Sequence, residues 1–494
     1  MSEFDLLVVG GGINGAGIAR DAAGRGLSVL LLERNDLAGA TSSWSSKLIH
    51  GGLRYLEQYE FRLVGEALAE REVLLSIAGH LVWPARFVMP HVPELRPRWM
   101  IRIGLFLYDH LGRRATLPGS CSVRLDAPPY ADGLGAGLRH GFEYSDCRVD
   151  DARLVIANVL DAQARGAEVR VRTELVSARR DGGGWLARVR DAAGAETEVR
   201  ARAVVNAAGP WVKATLNDRL GQPSRDNVRL VKGSHIVVPR RYAGDHAFIL
   251  QNDDRRVIFM IPYEEDFTLI GTTDEPFAGD PLRPEASAAE IDYLCRAANR
   301  YLAAPVTPRE VCWHYAGVRP LYDDGTDDPS SITRDYTLRV DEVKGAAPVL
   351  SIFGGKITTY RVLAEHAMEK LKKYFPKQSR AWTAKAALPG SDFGGGSRIA
   401  ARDAFYARYP GLPKTLLRTL FHRHGTRAAQ VLGDARSNAD LGEAFGADLT
   451  EREITYLREN EWARSAEDVL WRRTKAGLRL DAAAQARVTA CIGR

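Results

Sequence analysis

Apolar and polar positions along this chain follow two rhythms, and the change between them marks its first unit. Residues 4–9 are apolar except Asp5, the pattern of a strand buried on both faces of a parallel sheet. A glycine-rich stretch at 10–17 follows, and residues 13–24 read as a helix closed by Gly24 and Gly26. A second apolar strand at 27–32 ends on Glu33. Together these make a complete βαβ unit.

The repeat then stops. Residues 38–46 are small and hydroxylic, 60–78 have helical spacing, 84–98 are rich in proline and arginine, and 99–111 form a short apolar run. Helical spacing returns over 151–166. Short alternating strands are predicted near 168–180, 185–191 and 196–200, with Asp181-Gly182-Gly183-Gly184 as a turn. The apolar run 203–206 opens into Ala207-Ala208-Gly209-Pro210, residues 228–275 are strand-rich, and 349–353 run into Gly354-Gly355-Lys356 before a helix at 358–374. Beyond a glycine-rich linker at 390–397 the pattern is helical. The expected organisation is a cofactor domain from 1–83, 141–220 and 330–375, a substrate domain from 84–140 and 221–329, and a helical domain over 391–494.

Composition narrows this little. A chain of 494 residues is long enough for two or three domains, and 45% hydrophobic with 26% charged residues is ordinary for a soluble protein. No apolar run approaches the roughly 20 residues that span a bilayer. Five scattered cysteines without a C-x-x-C pair argue against a disulfide framework or a zinc site. Acids at Glu3 and Asp5 stand where a secretory leader would carry Lys or Arg, so a cytoplasmic setting is expected. The net charge of +6 suits anionic substrates, anionic lipid or nucleic acid, and selects none of them.

The chemistry is in the motifs. Gly10-Gly11-Gly12-Ile13-Asn14-Gly15 places G-x-G-x-x-G between strand and helix, where glycines permit the tight turn, the approach of phosphate and close packing. The helix N-terminus favours a pyrophosphate, and Glu33 is placed to accept ribose hydroxyls. A nicotinamide domain would continue promptly with further βα units. Here the hydroxylic 41–46 segment intervenes and the sheet resumes only at 204–209 and 353–359, which favours FAD, a long cofactor lying across the fold. Arg54, Arg319, Arg334 and Lys356 each adjoin a glycine, a proline or a predicted strand end, where a phosphate clamp can be built. His50 and His235 are the histidines nearest these elements, and a neutral imidazole can accept a hydroxyl proton.

At these residues the chain resembles the FAD-dependent glycerol-3-phosphate dehydrogenases. The resemblance rests on Val9-Gly10-Gly11-Gly12-Ile13-Asn14-Gly15-Ala16-Gly17 continuing to Asp21, on Ser45-Ser46-Lys47-Leu48-Ile49-His50-Gly51-Gly52-Leu53-Arg54-Tyr55, on Lys232-Gly233-Ser234-His235 and Gly271-Thr272-Thr273-Asp274, and on Gly354-Gly355-Lys356-Ile357-Thr358-Thr359-Tyr360-Arg361. It implies an α/β fold. A Rossmann-like FAD-binding domain of the D-amino-acid-oxidase/glutathione-reductase type would be assembled from discontinuous segments, beside a mixed β-sheet substrate domain and an α-helical C-terminal domain. The implied reaction oxidises sn-glycerol 3-phosphate to dihydroxyacetone phosphate, with electrons leaving to a membrane quinone.

By the same resemblance Arg54, Tyr55, His235, Arg334 and Lys356 would surround the substrate. His50 would be the base and Arg319 the electrostatic support. Cofactor contacts would come from Gly10, Gly12, Ile13, Asn14, Gly15, Glu33, Arg34, Thr41, Ser42, Ser43, Ser45, Ser46, Lys47, Val176, Ala208, Gly209, Gly354, Gly355, Lys356, Ile357 and Thr358. The implied location is the cytoplasmic face of the inner membrane, held peripherally on an anionic surface by a segment such as 96–106. Nucleic acid is not an expected partner, and a homodimer is compatible. Two alternatives stay open: a glycerol-3-phosphate oxidase using oxygen, and another FAD-dependent amine or amino-acid oxidase of the same architecture.

Overall fold

The computed structural model describes residues 2–92, 97–112, 115–224, 226–254, 256–323, 335–341 and 345–493. Two large sheets, a helical layer and a C-terminal helical unit organise them. In the first sheet the strand order is Thr337–Asp341, Val349–Phe353, Glu196–Asn206, Ser2–Val9, Val29–Glu33 and Glu168–Val171. Every pairing along that path is parallel except that of Thr337–Asp341 with Val349–Phe353. The strands Glu174–Asp181 and Gly184–Arg190 form a hairpin that extends Glu196–Asn206. Leu6, Leu7, Val8, Leu30 and Leu31 have no exposed surface, as strands covered on both faces require. Helices Ile13–Gly24, Asp151–Ala164 and Tyr360–Leu371 pack together over one face, and the predicted 13–24 helix forms with those bounds.

The second sheet is mostly antiparallel and runs Glu275–Pro276, Val228–Pro239, Phe267–Gly271, Val257–Tyr263, Ala247–Gln251, Val82–Pro90, His140–Val149 and Leu48–Ile49. Trp313–Tyr322 pairs with Val228–Pro239. Two expected boundaries need correction here. Residues 141–149, assigned above to the cofactor domain, lie in a strand paired with Val82–Pro90 from Gly141↔Pro90 to Val149↔Val82. Leu48–Ile49 joins the same strand. Pairing across more than 50 residues has no local sequence mark, and Pro84 and Asp146 blur the alternation that would have shown it.

Residues 398–492 form the helices Arg398–Arg408, Lys414–His424, Glu451–Asn460 and Ala482–Ile492 with a separate core around Leu417, Leu420, Phe421 and Leu457. A small ribbon, Ala444–Gly446 with Leu449–Thr450, interrupts the otherwise helical pattern.

Candidate active site

The register of the first sheet brings four strand ends to one edge. Val9 is opposite both Leu32 and Asn206, and Asn206 is opposite Ser351. The chain therefore leaves the sheet at Gly10, Glu33, Ala207 and Gly354 side by side. This is where strand order reverses, the usual place for a ligand in an open α/β sheet. A cavity of about 560 Å³ opens there and extends to the face of the second sheet, meeting His235, Phe259, Thr272 and Arg319.

The nucleotide end is shaped by close backbone approach. A Cβ on Gly15 would stand 1.9 Å from the Gly10 carbonyl oxygen, so Gly15 serves packing and does not line the cavity. Gly12, Ile13 and Asn14 do line it, at the start of a helix whose N-cap has no side-chain partner. Glu33 forms the opposite wall. Its Oε2 accepts from Gly11 N–H and its Oε1 from Asn35 N–H, each at 2.7 Å. Burial raises its pKa while these two amides oppose the rise. Asn14 Nδ2 donates to the Gly354 carbonyl at 3.3 Å, and its Oδ1 is buried without a partner among the described residues. A glycine cradle, a buried acid at the end of the second strand and an orphaned acceptor together suit a dinucleotide. Arg34, stacked 4.2 Å from the Trp211 ring, and Ala208 and Gly209 complete this end.

The hydroxylic segment forms the cavity's middle. Ser42 Oγ accepts from Ile13 N–H at 3.0 Å, and Thr41 Oγ1 donates to the Val318 carbonyl at 2.6 Å. Ser45 Oγ donates to Asp151 at 2.7 Å, and Ser46 Oγ bonds His235 Nε2 at 2.9 Å. Gly354, Gly355, Ile357 and Thr358 close the other side. Three expected contact residues stand behind the wall instead. Ser43 Oγ donates to Ala38 O at 2.8 Å, and the Val176 carbonyl accepts from Arg219 at 3.1 Å. Lys47 is buried with its ammonium 2.9 Å from Asp151 and 2.8 Å from Ser43 O. Asp151, which sequence reasoning missed, thus fastens the segment at both Ser45 and Lys47. Its position beside the helix cap Asp150 was the available signal.

At the far end His50, Arg54, Tyr55, His235, Arg319 and Lys356 line the same cavity. Arg334 lies outside the described residues. Lys356 Nζ sits 3.9 Å from the Tyr55 ring centroid, a cation–π pair. Arg319 pairs with Asp274 and donates to Thr272 Oγ1 at 3.2 Å and to the Thr273 carbonyl at 3.1 Å. The His235 ring stacks on Tyr315 with centroids 4.7 Å apart. Burial holds its pKa well below the usual histidine value, helped by Arg319 and Lys47. Burial also lowers the pKa of His50, with Asp146 opposing and Lys356 assisting. Both imidazoles are therefore neutral near pH 7. Asp146 accepts from Tyr108 at 2.7 Å and from Arg71 at 2.8 Å, and Tyr108 receives the Gly51 N–H at 2.8 Å. That buried triad fixes the turn carrying His50 and Arg54.

A fold of this kind, with a nucleotide cradle joined to a cationic, histidine-bearing pocket, defines a flavin oxidoreductase. A family model described as FAD dependent oxidoreductase matches residues 5–361, and one described as the C-terminal domain of alpha-glycerophosphate oxidase matches residues 381–492. The aerobic glycerol-3-phosphate dehydrogenase of Escherichia coli (strain K12) is 52% identical over 494 residues, 99% of this chain and 97% of its own. The D-erythritol 1-phosphate dehydrogenase of Brucella abortus (strain 2308) is 50% identical over 483 residues, 98% of this chain and 96% of its own. The crystal structure of a glycerol-3-phosphate dehydrogenase from Bacillus halodurans, complexed with FAD, superimposes with a TM-score of 0.75 at 27% identity, covering 99% of this chain and 93% of that one. The chain belongs to the FAD-dependent glycerol-3-phosphate dehydrogenase family.

Proposed function

We propose that this enzyme oxidises sn-glycerol 3-phosphate at C2, giving dihydroxyacetone phosphate, and passes the electrons to a membrane quinone. The observation that carries the reading is the continuity of one cavity from the glycine cradle to His50, Arg319, Arg54 and Lys356. Bound FAD supplies the hydride acceptor. Gly12, Ile13, Asn14, Glu33, Ser42, Ala208 and Gly355 are the residues suited to hold it. Arg54 and Lys356 receive the substrate phosphate, the first in bidentate fashion and the second as a point charge.

The neutral His50 imidazole takes the C2 hydroxyl proton on a ring nitrogen as hydride departs from the same carbon. Among the described residues its ring makes no hydrogen bond, whereas His235 Nε2 is engaged by Ser46. Arg319 faces the oxygen on which negative charge develops, and its guanidinium supplies positive charge and N–H donors there.

Contact with a bilayer is supported by the helix Arg98–Leu111. Trp99, Ile103 and Phe106 lie on one helical face and are 63%, 53% and 58% exposed, with Arg98 and Arg102 beside them. Tyr59, 80% exposed, follows directly on the Leu53–Gln58 segment that supplies Arg54 and Tyr55 to the cavity. An apolar quinone arriving from lipid would meet the cavity on this side. Among the described residues no helix is long and apolar enough to cross a membrane, which fits attachment at the surface.

The D-erythritol 1-phosphate dehydrogenase relative supports a second reading of the substrate, a longer polyol phosphate held by the same phosphate clamp. Turnover of the purified yellow protein decides between them. We expect sn-glycerol 3-phosphate to give the higher kcat/KM, and soluble quinone to outpace oxygen as acceptor. Preference for D-erythritol 1-phosphate would reassign the substrate, and equal turnover with oxygen would point to an oxidase.

A further inference from the structure

Arg319 is braced from behind by a residue that does not line the cavity. It lies on Trp313–Tyr322, in register opposite Val231 of Val228–Pro239. Its guanidinium crosses over Gly233, where a Cβ would stand 2.2 Å from Nη2, so only glycine leaves it this path. From there it meets the turn after Phe267–Gly271 three times: the Thr272 hydroxyl, the Thr273 carbonyl and the Asp274 carboxylate. The direction in which Arg319 points therefore depends on where residues 272–274 sit.

That turn has its own anchor. Thr273 is 1% exposed, and its hydroxyl accepts from Ser234 N–H at 2.9 Å and donates to Glu290 Oε1 at 2.9 Å. The same Oε1 accepts from Ser234 Oγ at 2.8 Å. Glu290 Oε2 takes Ser287 N–H at 2.9 Å, Ser287 Oγ at 3.0 Å and the Lys232 ammonium at 2.8 Å. The Ser287 contacts are a capping box for the helix Ala288–Asn299 and need no further explanation. The Oε1 contacts are not part of any cap. They tie the helix to Ser234, the residue after Gly233, and to Thr273.

We propose that Glu290 is a positioning residue for the reaction: through Thr273 it holds the 272–274 turn where that turn fixes the Arg319 guanidinium over Gly233. The proposal rests on the assignment of Arg319 to the developing alkoxide. Electrostatic stabilisation requires a donor at hydrogen-bond distance from the oxygen, and a shift of about 1 Å can cost 10²-fold in rate. Glu290 acts without touching substrate or cofactor.

The test is a double-mutant cycle on the FAD-loaded enzyme. Thr273→Val preserves shape and removes the hydroxyl link, and Glu290→Gln removes the charge at its source. Each should lower kcat by about 10-fold, with KM changed less than about 3-fold, because a displaced guanidinium weakens transition-state binding most. In an Arg319→Ala background both effects should shrink below about 2-fold. Folded fraction at the assay temperature and flavin absorbance per chain report folding separately, and a loss of kcat explained by a loss of either would overturn positioning. An undiminished loss in the Arg319→Ala background, or unchanged kcat in Thr273→Val, overturns the proposal while leaving Arg319 in place. Unchanged kcat in Arg319→Ala itself overturns the underlying assignment, and the proposal with it.

Discussion

His50 illustrates how burial tunes a single group for its task. Burial holds its imidazole below the usual histidine range despite Asp146, and Lys356 adds to the effect. A base must be unprotonated, so kcat should fall as pH drops through that lowered pKa, with the acid limb below about 6.5. His50→Ala should lower kcat by about 10²–10⁴ and abolish the limb. A limb that survives the substitution would hand the proton to another group. Lys356→Met removes a repelling charge, so its limb should move upward while KM for the phosphate substrate rises. Glu290 shows the opposite sign. Burial pushes its carboxyl up, but Lys232, Ser287, Ser234 and Thr273 bring it from 4.5 down to about 2. Its stabilisation is complete above about pH 4.5 and is lost as pH falls toward 2. Urea midpoints of the parent and Glu290→Gln should therefore differ at pH 7, and the gap should begin to narrow below about pH 4.5 and close toward pH 2. A constant difference would dismiss the linkage.

Among the elements, the helix Arg98–Leu111 stands apart because its two faces are both apolar in part. Ile101, Leu105 and Tyr108 are buried against the second sheet's core, and Tyr108 reaches Asp146. Trp99, Ile103 and Phe106 face outward. An exposed apolar stripe flanked by arginines is what an interfacial helix presents. Replacing Trp99 and Phe106 together by Ser removes that stripe without touching the buried side. Sedimentation with vesicles containing anionic lipid should fall at least about tenfold, since each large side chain contributes roughly 1.5–3 kcal/mol when buried. Unchanged cosedimentation at equal melting temperature would move the contact elsewhere. The sequence showed here only a short apolar run at 99–111 with arginines beside it, and whether such a run is buried or interfacial depends on neighbours that spacing does not give.

At the scale of the molecule, the C-terminal unit is tied to the cofactor domain by buried charges. Asp36, three residues beyond Glu33, accepts from Arg472 at 2.6 Å and from Arg473 at 2.5 and 2.8 Å. Arg153, on the helix that carries Asp151, pairs with Glu461, and Arg172 pairs with Asp468 at 2.8 Å. Breaking one side of such a pair leaves an uncompensated charge, at a cost of about 3–5 kcal/mol. Asp36→Asn strands the fully buried Arg473. The variant should unfold at lower urea and release FAD more readily in gel filtration. Wild-type stability and retention would show that the junction carries little energy.

The sequence alone determined the local units of this protein. Glycine spacing, strand-ending acid and helical periodicity lie within about 30 residues of one another, so the βαβ unit, its dinucleotide and helices over 151–166 and 358–374 were legible, forming as Asp151–Ala164 and Tyr360–Leu371, as were His50, Arg319 and Lys356 as candidates. What only the tertiary structure decided was partnership. Asp151 under Ser45 and Lys47, Asp274 beside Arg319, Glu290 behind Thr273 and strand His140–Val149 in the second sheet are contacts between distant segments. It also separated the residues that line the cavity from Gly15, Ser43, Lys47 and Val176, which hold its walls. The reason is physical: propensity and spacing act between chain neighbours, whereas a carboxylate finds its arginine only after strands and helices have packed and excluded water from the pair.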